Sequence, residues 1–168
     1  MAHAPIWCLV FSLAAFAFSA SNAADPGTVN PPNSVQIVVN SQLKKSWTTN
    51  ELMGGRFDWL SPKGKFNPAV PLAYALVFKG AGFTPDSIAE LQIIGKKDRV
   101  QLSREAVAHL LKELILLSDI DKGGTWKLAA RTSEAENNLK RWAGHPRVVV
   151  ENVRRIEVST GSRAGNKN

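Results

Sequence analysis

The stretch "AVPLAYALVFKGAGF" (residues 69–83) carries a single charge, Lys79, in a chain of 168 residues whose formal net charge is +7. Pro71 suits the first turn of a helix, because its missing N–H would have no intrahelical partner there. Apolar residues recur at helical spacing from Leu72 until Gly80, where the run ends. A helix of about ten residues, rising 1.5 Å at each, is too short to span a bilayer. Because it is apolar on nearly every side, we expect this helix to fill the core of the domain.

Short strand-like and helix-like patterns surround this helix. Strands are predicted at residues 35–40, 89–95, 99–103 and 125–131, and residues 147–158 indicate a last strand pair or one long bent strand. Helices are predicted at residues 46–55 and 104–114, residues 132–145 indicate a helix or an ordered loop, and residues 56–68 indicate an irregular loop. Thr48 and Glu51 have the spacing of a capping box. We therefore predict one α+β domain with a mainly antiparallel or mixed sheet and a few short helices.

The first 23 residues have the pattern of a signal peptide. The block "IWCLVFSLAAFAFSA" (residues 6–20) is too short for a comfortable membrane span, and small residues follow it up to Ala23. We expect cleavage after Ala23 and export to the periplasm or the medium, with an uncleaved anchor as the alternative. The predicted organisation is a signal peptide at 1–23, a flexible leader at 24–34, the domain at 35–158 and a disordered tail at 159–168.

Composition excludes several classes of chemistry. The only cysteine, Cys8, lies inside the predicted signal peptide, so the mature chain would have no disulfide, thiolate metal ligand or cysteine nucleophile. No run after residue 23 is long enough to span a membrane. The basic residues come in scattered pairs rather than on one element with aromatic residues between them, so we expect no nucleic-acid partner and interpret the charge as a solvated surface. No nucleophile, nucleotide-binding or metal motif is present, and no catalytic residue is assigned.

The strand at 125–131 carries the candidate ligand site. Alternation places Trp126 on a packing face and Lys127 and Arg131 on the other face, where we expect two cations about 6–7 Å apart. Arg131 would hold a carboxylate, phosphate or sulfate in a bidentate contact, and Lys127 would add a point charge. His145 and Arg147 follow in an extended segment and complete the candidate set. The alternative is that Lys127 and Arg131 are ordinary solvated edge residues.

Four pieces of the chain resemble, in their order, the molybdopterin-binding domain superfamily of sulfite oxidase, and in particular its small exported relatives. They are "WTTNELM" (47–53), "AVPLAYALVFKGAGF" (69–83), "DKGGTWKL" (121–128) and "VENVRRIEV" (150–158). The resemblance spans most of residues 35–158 and implies a helix packed on a mixed sheet. The oxidoreductases of that family hold molybdenum through a cysteine thiolate, which the predicted mature chain lacks. We therefore expect no cofactor, with molybdopterin as the alternative, and no family catalytic residue is carried over.

Three functions follow from these observations. The leading hypothesis is an exported, non-catalytic binding or accessory module that recognises a small anionic ligand or a protein partner such as a membrane sensor. The second is a molybdopterin-dependent oxidoreductase or a subunit of one. The third is a protein that binds polyanions or a membrane surface through its net charge of +7.

Overall fold

The computed structural model of the chain describes residues 33–61, 63–119, 124–144 and 150–161. These segments form a single α+β domain. The strands are β1 Val35–Val39, β2 Gln42–Trp47, β3 Phe57–Leu60, β4 Phe66–Pro71, β5 Ile88–Ile94, β6 Arg99–Ser103, β7 Leu114–Asp119, β8 Thr125–Ala130 and β9 Arg155–Thr160. The helices are α1 Thr49–Met53, α2 Leu72–Leu76, α3 Arg104–Leu110 and α4 Ser133–Ala143, and a 3₁₀ turn lies at Pro85–Ser87.

The strands are arranged in two sheets. The five-stranded sheet has the order β2-β1-β9-β5-β6, in which β1 and β9 run parallel and the other pairs run antiparallel. The four-stranded sheet has the order β3-β4-β7-β8 and is antiparallel throughout. The prediction of a single α+β domain with a few short helices and mainly antiparallel or mixed pairing is therefore confirmed, although the strands form two sheets rather than the one expected.

One hydrophobic cluster joins the two sheets and the helices. The five-stranded sheet and the four-stranded sheet contribute fully buried side chains that include Ile37, Leu91, Ile93, Ile156, Val70, Leu116, Trp126 and Leu128. Helix α3 packs on β5 and β6, α4 packs on α3 and β8, and α2 packs on β4 and β7. Burial of this apolar surface is the main force that stabilises the domain.

The helix at the centre of residues 69–83 is shorter than predicted. Pro71 ends strand β4, where it pairs with Ile115, and the helix that follows it has five residues. Leu76 is buried as expected, but Val77 ends the helix in an extended conformation and is 61% exposed. The expectation of burial on nearly every side is thus wrong for the end of the run, and the α2 helix buries one face only.

Two further helices show how local sequence sets their ends. In α1 the Thr48 side chain accepts a hydrogen bond from the Glu51 backbone N–H, and the Glu51 carboxylate accepts one from the Thr48 backbone N–H, so the predicted capping box is confirmed. Helix α3 begins after Ser103 as predicted but ends at Leu110, because Leu114 is the first residue of strand β7. The predicted helix at 104–114 is therefore wrong in its last turn.

The largest difference from the sequence prediction lies in the first half of the chain. Residues 56–68, predicted as an irregular loop, contain β3 and the start of β4, which form an antiparallel hairpin. Strand β2 was not predicted either, and its first three residues are exposed. Near the end of the chain only β9 forms a strand among the described residues after 149, and it continues to Thr160, two residues past the predicted domain boundary.

A short extended segment, residues 150–154, links the two sheets. The Leu128 N–H donates a hydrogen bond to the Val150 carbonyl oxygen at 2.9 Å, and the Val153 N–H donates one to the Trp126 carbonyl oxygen at 2.7 Å. The Arg154 N–H then donates to the carbonyl oxygen of Ile94 in the five-stranded sheet, at 2.9 Å. This segment therefore lies along the outer edge of β8 and fixes it to the second sheet.

Several predictions concern residues outside the described part of the chain. These are the signal peptide at 1–23, most of the leader at 24–34, and the tail after residue 161. Among the described residues, no helix has both the length and the apolar character needed to cross a membrane.

Candidate functional site

Strand β8 alternates as its sequence predicts. Trp126, Leu128 and Ala130 are buried, whereas Lys127 lies on the other face and is partly exposed. Trp126 is 1% exposed and belongs to the core cluster, and its indole Nε1 has no hydrogen-bond partner among the described residues. A ligand bound on the face of Lys127 would therefore lie across the sheet from Trp126 rather than against it.

Arg131 and Lys127 do not form the predicted close pair. Residues four apart on an extended strand have Cα atoms ~13 Å apart, because each residue advances ~3.3 Å, so the expected 6–7 Å is wrong. The Arg131 guanidinium instead lies over the Phe57 ring, 5.2 Å from its centroid. The Arg131 carbonyl oxygen accepts a hydrogen bond from the Trp59 Nε1–H at 3.1 Å.

The other two predicted site residues, His145 and Arg147, lie outside the described residues. The described chain resumes at Val150, which is already hydrogen-bonded to β8. Their proposed role in ligand binding therefore stays a prediction.

The face of the four-stranded sheet that carries Lys127 is built by long-range register. Phe57 pairs with Ala69, Ala69 with Leu117 and Leu117 with Lys127, so these four side chains form one row across all four strands. In the next row Trp59 pairs with Asn67. Side chains in one row of an antiparallel sheet lie on the same face. The face that carries Lys127 therefore brings residues of β3, β4, β7 and β8 together.

This face is concave. Trp59, on the first strand of the sheet, reaches Arg131, which directly follows the last strand. Phe57 also contacts Arg131. Ala69 lies on this face and is nonetheless 0% exposed, so neighbouring side chains cover the middle of the sheet. The sheet curls so that its two outer strands approach each other.

A groove of about 550 Å³ lies on this concave face and at the β3–β4 turn. The residues on its wall that matter for binding are Trp59, Lys63, Lys65, Asn67, Asp119 and Lys127. Among the described residues, they supply three ammonium groups, one amide and one indole, against a single carboxylate. Three converging lysines favour an anion in the groove, and Asn67 adds a neutral hydrogen-bonding group.

Among the described residues, Lys127 has one ion pair at the rim of the groove. Its Nζ lies 3.7 Å from the Glu151 carboxylate, and both side chains are well exposed, at 41% and 59%. Exposed pairs of this kind contribute little to stability because water and salt screen them. Lys127 can therefore exchange Glu151 for an anionic ligand at small cost.

A neighbouring cleft shows why the groove is the better anion site. This cleft has a volume of about 360 Å³, and it shares Lys127 and Asp119 with the groove. Among the described residues, its charged lining consists of three lysines and three carboxylates, namely Lys96, Lys97, Lys127, Asp98, Asp119 and Glu151. Because these charges balance, the cleft offers no net attraction for an anion, whereas the groove does.

The site residues that the sequence prediction missed are Trp59, Lys63, Lys65 and Asn67, all within the stretch interpreted as a loop. The alternation in "FDWL" and the turn residues in "SPKGK" are a hairpin signal that would have placed them. Their approach to Lys127 depends on the β4–β7 pairing. No local pattern shows that pairing.

No protein-family model, curated protein or solved structure matches this chain. The resemblance to the sulfite-oxidase superfamily therefore stays a prediction. That resemblance would imply a thiolate ligand for molybdenum, and none of the described residues is a cysteine. Within the same residues, no group of three or more His, Cys, Asp or Glu side chains is placed to hold a metal ion.

Proposed function

We propose that this protein is an exported, non-catalytic binding module that holds a small anion in the groove on the concave face of its four-stranded sheet. The observation that carries the proposal is that Lys63, Lys65 and Lys127 line one groove in which Asp119 is the single carboxylate among the described residues. The ligand class is a carboxylate, phosphate or sulfate. Export rests on the signal-peptide pattern of residues 1–23.

The charge arrangement supports anion binding over simple surface solvation. Lys63 and Lys65 come from the β3–β4 turn, and Lys127 comes from a strand three positions away in the sheet order. Like charges on one groove repel each other, and a bound anion relieves that repulsion while gaining favourable contacts with each ammonium.

The groove is open to water, and this sets the expected strength of binding. Lys63 and Lys65 are exposed and Lys127 is partly exposed. Attraction between solvated charges is screened over ~10 Å at about 0.1 M salt. We therefore expect binding that weakens clearly as the salt concentration rises, with Trp59 and Asn67 selecting ligands that have an apolar or hydrogen-bonding body.

A thermal-shift comparison of phosphate, sulfate and small dicarboxylates at low ionic strength tests the proposal. A ligand that binds only the folded protein raises the melting temperature, by an amount that grows with the logarithm of its concentration once this exceeds the dissociation constant. The variant Lys65→Gln/Lys127→Gln should lose the anion-dependent shift. Lys96→Gln/Lys97→Gln removes the same amount of charge from the β5–β6 turn and should keep most of the anion-dependent shift.

A second variant, Glu151→Gln, should change the anion-dependent thermal shift in the opposite direction. It removes the carboxylate that pairs with Lys127, so the anion-dependent shift should increase. If the anion shift persists unchanged in Lys65→Gln/Lys127→Gln, the site lies elsewhere. If no anion stabilises the wild type, the proposed function is wrong, and a protein partner becomes the better explanation of the basic groove.

A further inference from the structure

The tip of the β3–β4 hairpin has a defined conformation. The Ser61 N–H donates to the Lys65 carbonyl oxygen at 2.8 Å, and the Gly64 N–H donates to the Ser61 carbonyl oxygen at 2.9 Å. The Ser61 side-chain Oγ accepts a third hydrogen bond, from the Lys65 N–H, at 3.1 Å. Gly64 has φ +72°, a value that glycine adopts without strain. These hydrogen bonds hold together the backbone of the described turn residues Ser61, Gly64 and Lys65.

Two large apolar side chains are exposed at this tip. Leu60 and Phe66 form a cross-strand pair at the end of the hairpin, on the face opposite to Trp59. Leu60 is 54% exposed and Phe66 is 72% exposed, the highest value among the exposed large hydrophobic residues that the structure describes. Pairing of β4 with β7 begins only at Ala69, so this end of the hairpin extends past the ladder. Nothing among the described residues covers the pair.

The charges at the tip itself are basic, and the nearest acidic residue on this face, Asp58, lies two residues back along β3. Lys63 and Lys65 are exposed in the turn between Leu60 and Phe66. No acidic residue occurs from Trp59 to Asn67. An apolar pair with two cations at the tip, and with the carboxylate of Asp58 only further back along the strand, is complementary to a surface that is apolar inside and anionic outside.

We propose that the β3–β4 hairpin tip docks the protein on an anionic phospholipid membrane. Leu60 and Phe66 enter the interfacial region of the bilayer, while Lys63 and Lys65 contact headgroup phosphates. In this mode of docking, a turn contacts the membrane surface, and no segment crosses the bilayer. This inference goes beyond the anion site, with which it shares Lys63 and Lys65, because Leu60 and Phe66 lie on the other face of the hairpin from Trp59.

The size of the exposed patch favours a membrane over a protein partner. A stable protein interface buries roughly 800 Å² on each partner. One large side chain buries at most about 150–250 Å², so two of them at a narrow tip supply well under that area. Membrane docking needs less, because its strength comes from a few inserted apolar groups together with attraction between basic residues and anionic lipids.

Co-sedimentation with lipid vesicles tests this inference. The full chain is mixed with vesicles of phosphatidylcholine containing phosphatidylglycerol, and separately with vesicles of pure phosphatidylcholine. We expect binding to the anionic vesicles and much weaker binding to the neutral ones. Leu60→Ser/Phe66→Ser should weaken binding to anionic vesicles roughly tenfold or more. Lys63→Gln/Lys65→Gln should weaken it by about fivefold per lysine at low salt.

Matched variants separate the tip from general surface effects. Leu43→Ser/Val77→Ser removes two exposed apolar side chains elsewhere, which are 49% and 61% exposed, and should leave vesicle binding unchanged. The Leu60→Ser/Phe66→Ser variant should also keep the phosphate-dependent thermal shift of the wild type, so failure of the membrane proposal and failure of the anion site are distinguishable.

Three results would overturn the inference. The first is absence of wild-type binding to the anionic vesicles, and the second is equal binding by the wild type and Leu60→Ser/Phe66→Ser. The third is self-association of the wild type that this variant abolishes in the absence of vesicle binding. That third result would assign the tip to a protein contact.

Discussion

The indole Nε1–H of Trp59 donates a hydrogen bond to the carbonyl oxygen of Arg131, 72 residues later in the sequence, at 3.1 Å. This contact joins the first strand of the four-stranded sheet to the residue that follows its last strand. Together with the Arg131–Phe57 contact it curves the face on which the groove lies. Trp59 and Phe57 therefore shape the candidate site through their contacts with Arg131, which is not itself one of the residues on the groove wall.

Trp59→Phe tests that contact. The substitution keeps an aromatic ring but removes the donor, and we expect the free energy of unfolding to fall by about 1–2 kcal/mol. Urea denaturation measures the change. Phe66→Leu, an exposed position on the same hairpin, should change it by less than about 0.5 kcal/mol. Equal effects of the two substitutions would mean that the Trp59–Arg131 hydrogen bond does not stabilise the curled sheet.

Leu76→Ala tests the burial of α2. The side chain is 1% exposed, so its truncation should cost about 2–5 kcal/mol of the free energy of unfolding. The adjacent Val77 is 61% exposed, and Val77→Ala should cost less than about 0.5 kcal/mol. Chemical denaturation of the two variants side by side provides the comparison. A loss at Leu76 as small as that at Val77 would contradict the packing of this helix on β4 and β7.

Gly95→Ala tests the segment that links the two sheets. A Cβ at this position would collide with the backbone carbonyl oxygen of Glu151 and lie 2.8 Å from a methyl group of Val150. Backbone atoms cannot move aside cheaply, so we expect a loss of about 1–3 kcal/mol. Lys97→Ala in the same turn is the control, because its side chain is exposed. A melting temperature of Gly95→Ala equal to that of the control would show that residues 150–154 do not lie against this turn.

Glu51 should make the stability depend on pH in an acidic range. The Lys45 ammonium, 2.6 Å away, and then the Thr48 backbone N–H and hydroxyl lower the pKa of Glu51 from 4.5 to about 2. Because the pKa is lower in the folded protein, the stabilisation is fully present above pH ~4.5 and is lost as the pH falls through about 2. The carboxylate is exposed, so the effect is at most about 1 kcal/mol.

The comparison of the wild type with Glu51→Gln between neutral pH and pH ~2 measures this effect. Gln can keep the reciprocal hydrogen bond of the capping box but cannot pair with Lys45 as an ion. The stability difference between the two proteins should shrink across the acidic range. If the stability difference stays constant with pH, the difference comes from the hydrogen bond alone and not from the ion pair with Lys45.

Local chemistry made part of the fold predictable. The Thr48–Glu51 capping box involves neighbouring residues, and the alternation in β5, β6 and β8 is a direct consequence of one buried face. The β3–β4 hairpin was missed because its strands are short and its turn residues dominate the stretch. Pro71 was interpreted as the start of a helix, although it completes β4 by pairing with Ile115.

Of the lysines that line the groove, only Lys127 was predicted from the sequence as a site residue. Lys127 follows from the alternation of β8, and the structure places it in the groove. Lys63 and Lys65 join it only through the order β3-β4-β7-β8, which involves pairing between residues about 50 apart in sequence. Arg131 was expected beside Lys127, but the Phe57 ring and the rise of the strand place it elsewhere.

The central claim is that an anion binds between the β3–β4 turn and Lys127, and nuclear magnetic resonance of the isotope-labelled protein tests it most directly. On titration with inorganic phosphate at low salt, the Trp59 indole N–H signal and the backbone amides of Lys63, Lys65 and Lys127 should shift together with one dissociation constant. The same signals should stay in place in Lys65→Gln/Lys127→Gln. Shifts confined to other parts of the protein, or no saturable shift at all, would contradict the account.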